Sequence, residues 1–344
     1  MGVLDAVEAL ADRAGPDVGG EWDPAWHLGP IEDPAAAERE RQRAWLEEHA
    51  GELEWLWERL HDDASRAVLA AVLAHRLAGS RRVAFGVPRT TSERLTRFAE
   101  AELTCRDPEP ALPGLPCYDL AAIGLDLRLA AVAQSLVQTF LLEQYRHPAI
   151  AAANVRPGDT AVDGGAFWGD TALWLAARCG PAGRVVAFEP DPANRAVLDA
   201  NLRVNTRAGA PIDVRPEALW HERAELALHQ AGGASVVGGE GGATEVPAVA
   251  LDDLVAGGAL DAVDFLKLDV EGAEQAVLRG ARQVLATQRP RLALAAYHRP
   301  EDLLALPRLI DDAAPGYRLA LSHRSPHHLD TVLFAWPGDA DGDC

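Results

Sequence analysis

The sequence predicts an α/β fold: a parallel sheet with crossover helices in the C-terminal part of the chain, preceded by a helical region. From about residue 159 onward, short apolar runs alternate with helical patterns, which is typical of a parallel sheet. Up to about residue 145, apolar residues recur at three- and four-residue spacing among many charges, which indicates amphipathic helices. The 344 residues are enough for roughly two domains of about 150 residues each.

Residues 1–145 are predicted to form a helical region that acts as a lid, a substrate-binding region or a dimerisation region. The stretch that begins at Pro34 keeps helical spacing over most of its length, and Gly79 fits its C-cap. A proline-rich segment, 105–119, breaks this pattern. A second helix-compatible segment follows at 129–145.

Residues 146–338 are predicted to form the sheet domain, and residues 339–344 a disordered tail. Seven apolar runs fit strands, at 160–165, 184–190, 212–218, 264–270, 291–298, 317–323 and 330–336. Four segments fit the crossover helices, at 171–179, 192–205, 271–285 and 300–313. Between the third and fourth predicted strands, residues 224–255 carry glycine-rich turns that separate runs compatible with a small β insertion.

Composition and charge argue against several classes of protein. A formal net charge of -20 would repel a phosphate backbone, so nucleic acid is not an expected partner. No window approaches the ~18 unbroken apolar residues of a membrane span, and the acidic N-terminus does not have the basic start of a signal peptide. The four cysteines have neither metal-ligand spacing nor the density of a disulfide scaffold, which indicates reduced thiols and a cytoplasmic protein.

A glycine-rich turn follows the first predicted strand: Asp163, Gly164, Gly165 and Ala166, with a helix opening near Gly169. In an open α/β sheet, ligands bind outside the carboxyl ends of the strands, and glycine lets the backbone approach a ligand closely. The spacing does not match G-x-G-x-x-G, and an aspartate suits a cationic ligand such as S-adenosylmethionine better than a pyrophosphate. A glycine-rich turn by itself remains weak evidence for any ligand.

The second predicted strand ends in Glu189, 20 residues after Gly169. An acid at this place commonly accepts hydrogen bonds from both ribose hydroxyls, which argues for an adenosine ligand. The acid does not separate S-adenosylmethionine from a nicotinamide dinucleotide. A strand-terminal acid can also serve only to cap the next helix.

The C-terminal half contains blocks that carry a family resemblance: VDGGAFWGDTALWLA, VVAFEPDPANRAVLDANLRVN, VALDDLV, DFLKLDVEGAEQAVLRGARQVL, RPRLALAAYH and LDTVLFAW. Together they resemble the FkbM family of S-adenosylmethionine-dependent methyltransferases. The resemblance covers about residues 155–337, and its FEPDPxNxxxLxxN and K-x-DVEGAE blocks are specific. The segment 60–79 is also similar to the helical region that precedes the catalytic domain in many members.

The resemblance implies a Rossmann-like class I methyltransferase fold, which is a seven-stranded, mostly parallel sheet whose last strand is antiparallel. It implies S-adenosylmethionine as the cofactor. By that analogy Asp163, Gly164, Gly165 and Ala166 contact the methionine part of the cofactor, and Glu189 holds its ribose.

Four further residues are candidates for contact with the cofactor, three of them by the same analogy. Glu217 and Ala218 follow the third strand, where this fold usually borders the adenine ring. Asn194 matches an asparagine of the family, although it would also fit a helix cap. Trp168 has two alternatives: a cation–π contact with the sulfonium, which contributes about 0.5–2 kcal/mol, or packing against the sheet or the N-terminal region.

Methyl transfer is an in-line displacement, so the enzyme has to align the nucleophile with the methyl carbon, and an alcohol nucleophile also needs a base. Asp269 lies at the end of the fourth predicted strand, on the same face as Lys267. We predict Asp269 as both a cofactor-binding and a catalytic residue, with helix capping as its alternative. Glu271 follows at the turn, and both Glu271 and Glu274 would alternatively complement the helix dipole.

His298, at the end of the fifth predicted strand, is the first candidate for the base, because a histidine with a pKa of about 6.5 is mostly neutral near pH 7. Its alternative is a structural imidazole bound to a backbone carbonyl. His323 is the next candidate, in a cluster with His327, His328 and Asp330. No metal site is predicted, since no spacing enforces one, although carboxylates suit Mg²⁺.

The sequence and the resemblance together predict a cytoplasmic O-methyltransferase that acts on a hydroxyl of a sugar or other secondary metabolite. The acceptor class comes from the resemblance alone. The alternatives are an N-methyltransferase, a nicotinamide-dependent oxidoreductase, which the missing G-x-G-x-x-G disfavours, and a noncatalytic interaction protein. The expected partner is a small-molecule hydroxyl acceptor, with no nucleic acid and no membrane, and a homodimer is one option for the assembly.

Overall fold

A seven-stranded sheet with helices on both faces is the main feature of the molecule. The structure is a computed structural model, and it describes residues 2–13, 36–79, 83, 86–231, 234–237, 244–325 and 330–338. The predicted tail at 339–344, and His327 and His328 of the predicted histidine cluster, lie outside the described residues. Within the described residues, no helix combines the length and the apolar character that crossing a membrane requires.

The strands of the described residues are, in chain order, β1 (Cys117–Asp119), β2 (Arg128–Ala130), β3 (Thr160–Gly164), β4 (Arg184–Phe188), β5 (Ile212–Arg215), β6 (Ala218–Leu219), β7 (Ala224–Ala231), β8 (Ala234–Val237), β9 (Thr244–Val249), β10 (Phe265–Leu268), β11 (Arg291–Ala295), β12 (Tyr317–His323) and β13 (Thr331–Pro337). The α-helices are α1 (Val3–Arg13), α2 (Ala36–Glu48), α3 (Ala50–Arg59), α4 (Asp63–Ala78), α5 (Arg89–Phe98), α6 (Ala133–Leu136), α7 (Asp170–Cys179), α8 (Pro192–Val204), α9 (Leu251–Ala256), α10 (Glu274–Arg279), α11 (Arg282–Thr287) and α12 (Asp302–Ala313).

The main sheet has the strand order β12-β13-β11-β10-β3-β4-β5. Neighbouring strands from β11 across to β5 are parallel, whereas β13 is antiparallel to both β11 and β12. The prediction of a mostly parallel, seven-stranded sheet with an antiparallel last strand is confirmed. The parallel strands therefore deliver their C-terminal residues to one common edge, where a ligand crevice is expected.

Two apolar cores cover the two faces of this sheet. Along β10, Leu266 and Leu268 pack into one core and Phe265 into the other, as the two-residue period of a strand requires. The first core also contains residues of α1, α3, α4 and α12, and the second contains residues of α7 and of the segment 99–155. The N-terminal region thus shares both of its cores with the sheet, and the domain boundary at residue 145 stays a prediction.

The helical N-terminal region is confirmed, with two local differences. Gly79 ends α4 with a φ of 91°, as expected of a C-cap glycine. Strands β1 and β2 form a small antiparallel pair that the helical pattern did not predict. Helix α6 continues as a π-helical turn, Val137–Leu141, and such turns occur frequently at functional sites.

The predicted helix 271–285 is interrupted. Helix α10 ends before Gly280 and α11 begins after it. A Cβ at Gly280 would lie 2.3 Å from the carbonyl oxygen of Trp220, so the backbone is in contact with the turn after β6 there. The predicted β insertion is present as a four-stranded sheet with the order β6-β9-β7-β8.

Candidate active site

Asp163 ends β3 in a buried ion pair. Its Oδ1 lies 2.9 Å from Lys267 Nζ, and both side chains are at most 1% exposed. The Thr171 hydroxyl donates to Asp163 Oδ2 at 2.7 Å. Lys267 also donates to the carbonyl oxygens of Gly164 and Gly165, at 3.2 and 2.8 Å. The structure therefore places Asp163 beneath the glycine turn, in a role that fixes the turn, and its direct contact with a ligand stays a prediction.

The glycine turn packs directly on the end of β10. Gly165 has a φ of +76°, and a Cβ there would lie 1.9 Å from the carbonyl oxygen of Asp269. The amides of Gly165 and Ala166 both donate to the Phe188 carbonyl at 3.0 Å. The close approach that glycine permits here is therefore to β10, and contact of Gly164, Gly165 and Ala166 with the methionine part stays a prediction.

Glu189 lies beside this turn and is almost fully buried. Its Oε2 accepts a hydrogen bond from the Phe167 amide at 2.8 Å, and its Oε1 accepts from the Asp191 amide at 2.9 Å and from Asn194 Nδ2 at 3.3 Å. Burial raises the pKa of Glu189, against these hydrogen bonds that lower it. The Glu189 carboxylate thus links the turn after β3 to the turn after β4, in the position where a ribose is predicted.

Trp168 is half-buried at the start of the turn that leads into α7. Its ring stacks on Phe167 with 4.4 Å between the ring centroids, and its Nε1 donates to Asn194 Oδ1 at 3.2 Å. The cap of α8 is Asp191, whose side chain accepts from the Ala193 amide, so Asn194 is free of the capping role considered for it. Contact of Trp168 with the cofactor stays a prediction, as does its alternative of packing.

Glu217 and Ala218 follow β5, as predicted, and Ala218 is also part of the small four-stranded sheet. Ala218 is buried and begins β6, which pairs with β9. Among the described residues, Glu217 Oε2 is buried without a hydrogen-bond partner. Their place beside an adenine ring stays a prediction.

Asp269 is held by two tyrosines at the carboxyl edge of the sheet. Tyr145 donates to its Oδ2 at 2.8 Å and Tyr297 to its Oδ1 at 2.9 Å. Burial alone would raise the pKa of Asp269, but the charges of Lys267 and His298 and the two tyrosine hydroxyls outweigh it and lower the pKa. Asp269 is therefore ionised near neutral pH, and its oxygens do not cap α10.

Three carboxylates surround His298, and we call these four side chains the acid–histidine cluster: Asp269, Glu271, Glu274 and His298. His298 Nδ1 lies 2.8 Å from Glu274 Oε1. Its Nε2 lies 3.4 Å from Asp269 Oδ1 and 3.4 Å from Glu271 Oε2. The cluster gathers the ends of β10 and β11 and the first turn of α10.

The charges of the cluster decide the protonation of His298. Burial lowers the pKa of His298, but the hydrogen bond to Glu274 and the charges of Glu274, Asp269 and Glu271 outweigh it and raise the pKa to about 9. The expectation that His298 is mostly neutral near pH 7 is therefore wrong. As an imidazolium, His298 already carries a proton and cannot accept another one. The prediction that His298 is the base therefore loses its premise, which was a neutral imidazole.

His323 and Asp330 lie at the same edge but are engaged differently. His323 ends β12, is buried, and its Nδ1 lies 2.9 Å from Thr331 Oγ1. Asp330 accepts a hydrogen bond from Gln138 at 2.7 Å, and burial together with the nearby Asp269 raises its pKa to about 7. Catalysis by His323 stays a prediction.

The grouping of Asp269, Glu274 and His298 brings one ligand atom from each residue within 4.8 Å of the others. His298 Nδ1 is already engaged by Glu274 at hydrogen-bonding distance. We therefore describe the grouping as a proton-holding cluster, and the expectation of no metal site stays a prediction.

Sequence reasoning missed the residues that the N-terminal region brings to this edge. Tyr145 reaches Asp269 across 124 positions of sequence. In the π-helical turn, Gln138 donates a hydrogen bond to Asp330. Its neighbour Thr139 donates one to Asp170, at the start of α7, at 2.8 Å. A helical pattern marks these segments, but nothing in it identifies the strand ends that they contact.

The sheet topology, the glycine turn after β3 and the acid after β4 together define a class I methyltransferase. Residues 151–319 match the model of the methyltransferase FkbM domain. Over these residues the chain resembles the FkbM methyltransferases, a family that depends on S-adenosylmethionine. The match favours a methyltransferase over the nicotinamide-dependent alternative.

A solved methyltransferase structure has the same fold. The methyltransferase FkbM from Methylobacillus flagellatus KT is 23% identical, with a TM-score of 0.55 over 85% of this chain and 60% of that one, so this chain spans 60% of its length. Fibrillarin from Aeropyrum pernix, solved with natively bound S-adenosyl-L-methionine, is 17% identical, with a TM-score of 0.38 over 57% of this chain and 74% of that one. No curated protein sequence matches the chain.

Proposed function

We propose that the protein is an S-adenosylmethionine-dependent O-methyltransferase that methylates a hydroxyl of a sugar or other secondary metabolite in the cytoplasm. The observation that carries the proposal is the contact between the glycine turn after β3 and the acid–histidine cluster. Gly165 approaches the carbonyl of Asp269 so closely that a Cβ would lie 1.9 Å from it. A methyl group delivered at the turn would therefore lie beside groups that can handle a proton.

The residues at the turn fit the cofactor. In the described residues Glu189 Oε2 accepts one hydrogen bond, and a carboxylate oxygen has about two lone-pair sites, so it keeps capacity for a ribose hydroxyl. S-adenosylmethionine supplies a methyl group on a positively charged sulfur. The ionised Asp269, whose pKa is lowered, would favour that charge electrostatically.

The acid–histidine cluster supports a hydroxyl acceptor rather than an amine. A hydroxyl has to lose its proton as the new bond forms, whereas a neutral amine is already nucleophilic. Glu271 is the most exposed member, with 38% of its side chain accessible. The N-terminal region, which already contributes Tyr145 to this edge, would provide one wall of the acceptor pocket.

The proposal is tested by incubating the purified chain with S-adenosylmethionine and a panel of sugars, hydroxylated metabolites and amines. The expected result is a product heavier by one methyl group, formed from a hydroxyl acceptor, with saturable binding of S-adenosylmethionine in calorimetry. Methylation of amines alone would favour the N-methyltransferase alternative. Binding of NADH without binding of S-adenosylmethionine would overturn the proposal.

Glu189→Gln is expected to weaken S-adenosylmethionine binding about tenfold or more, because hydrogen bonds to charged groups contribute about 1.5–3 kcal/mol. Calorimetric titration of the wild-type and variant proteins measures the change. The matched control is Glu222→Gln, which neutralises a carboxylate whose side chain is 69% exposed. Equal affinities for Glu189→Gln and Glu222→Gln would remove Glu189 from the cofactor site.

A further inference from the structure

Methylation of a hydroxyl needs a group that accepts the hydroxyl proton, and the acid–histidine cluster offers unequal candidates. Each Asp269 oxygen accepts a hydrogen bond from a tyrosine, and the lowered pKa of Asp269 makes it a weak base. Glu274 is fully buried and accepts hydrogen bonds from the Val270 amide and from His298. His298 holds its own proton near neutral pH. Glu271 differs from these three because its side chain is the most exposed of the four.

Glu271 lies in a strained turn after β10. It lies three residues after the end of β10, with a φ of +53°, a left-handed conformation that is strained for a residue other than glycine. Gly272 follows with a φ of +93°, and a Cβ there would lie 3.1 Å from Arg299 Nε. Such strain clusters at functional sites, and here it brings Glu271 Oε2 to 3.4 Å from His298 Nε2.

Resting on the O-methyltransferase function proposed above, we propose that Glu271 is the general base of the methyl transfer and that His298 positions it. As the acceptor oxygen forms its bond to the methyl carbon, its proton passes to the Glu271 carboxylate. The bond between that carbon and the sulfur breaks, and its electron pair stays on the sulfur. The products are the methyl ether, neutral S-adenosylhomocysteine and protonated Glu271, so atoms and charge balance.

The charges around Glu271 suit this role. Burial raises the pKa of Glu271, and with the repulsion of Asp269 it reaches about 7, against the opposing charge of His298. The other charged groups that face it are Glu274 of α10 and Lys267 of β10, with Arg299 beside the turn. A base whose pKa lies near the working pH is both ionised often enough and basic enough to accept a proton.

The test compares wild type with Glu271→Gln, Glu271→Asp and a control, Glu301→Gln, using a hydroxyl acceptor that the wild type methylates. Glu301 is exposed and directly precedes α12. The kcat/KM of the wild type is expected to rise through about pH 7 and to fall above about pH 9, where His298 loses its proton. Glu271→Gln is expected to lower kcat about 10²–10⁴-fold. It is also expected to lose the rising limb of the kcat/KM pH profile, which we call the limb near pH 7. The affinity for S-adenosylmethionine and the Tm are expected to stay near those of wild type.

Glu271→Asp is expected to keep the limb near pH 7 at reduced kcat, because it retains a carboxylate, and Glu301→Gln is expected to resemble wild type in every measurement. A Glu271→Gln variant that keeps either the wild-type kcat or the limb near pH 7 would overturn the inference and leave the proposed function intact. A wild-type protein that methylates no hydroxyl acceptor would overturn the proposed function, and the inference with it.

Discussion

Lys267→Met is expected to lower the free energy of unfolding by about 3–5 kcal/mol, because it would leave the Asp163 carboxylate buried without its counter-charge. The two groups lie 2.9 Å apart and are at most 1% exposed, so water cannot replace the lysine. The variant also loses the hydrogen bonds from Lys267 to the Gly164 and Gly165 carbonyls. Urea unfolding followed by circular dichroism measures the change.

The control for Lys267→Met is Arg184→Met, which breaks an ion pair on the neighbouring strand. Arg184 Nη2 lies 3.2 Å from Asp213 Oδ2, and both side chains are 38% exposed. A solvent-exposed pair typically contributes about 1 kcal/mol or less, so Arg184→Met is expected to have a small effect. Equal losses in the two variants would contradict the importance assigned to burial of the Asp163 pair.

Gly165→Ala is expected to lower the free energy of unfolding by about 2–5 kcal/mol and to reduce S-adenosylmethionine binding. The φ of +76° alone disfavours alanine by about 1–2 kcal/mol. The added Cβ would overlap the Asp269 carbonyl oxygen, and overpacking typically costs a further 1–3 kcal/mol, by an order-of-magnitude estimate. Denaturant unfolding and calorimetric titration with the cofactor check the two effects.

Gly158→Ala separates backbone strain from overlap. Gly158 has a φ of +89°, close to that of Gly165, but a Cβ there would meet nothing within 4 Å. This variant is expected to show only the cost of the left-handed conformation and to bind the cofactor normally. If Gly158→Ala were as destabilising as Gly165→Ala, the contact between the turn and β10 would not explain the effect.

The sequence allowed the sheet to be predicted because its signals are local. Alternation along each strand places residues such as Leu266 and Leu268 on one face, and that pattern is visible without the fold. The carboxyl ends of parallel strands meet at one edge, so Glu189 and Asp269 could be assigned to the crevice from the sequence. The order of the strands within the sheet was predicted from the family resemblance alone.

The electrostatics of the site could not be predicted in the same way. The pKa of His298 depends on three carboxylates that only the folded chain brings within 3.4 Å of its ring. Without the fold, only the reference pKa of a histidine can be assigned to His298, and it led to the wrong protonation state. Tyr145 was missed for a related reason, because its contact with Asp269 spans 124 positions and helical periodicity carries no information about it.

The position of β13 has a consequence for the order in which the chain can fold. β13 follows β12 along the chain, but it lies between β11 and β12 in the sheet. In the part of the main sheet that the structure describes, β12 pairs with β13 alone, from Tyr317 opposite Pro337 to His323 opposite Thr331. During synthesis the apolar β12 therefore leaves the ribosome before β13 has been made. The edge of β11 that pairs with β13 also stays unpaired until then. Unpaired edges of this kind promote aggregation, so a nascent chain is vulnerable at this edge until β13 has been made.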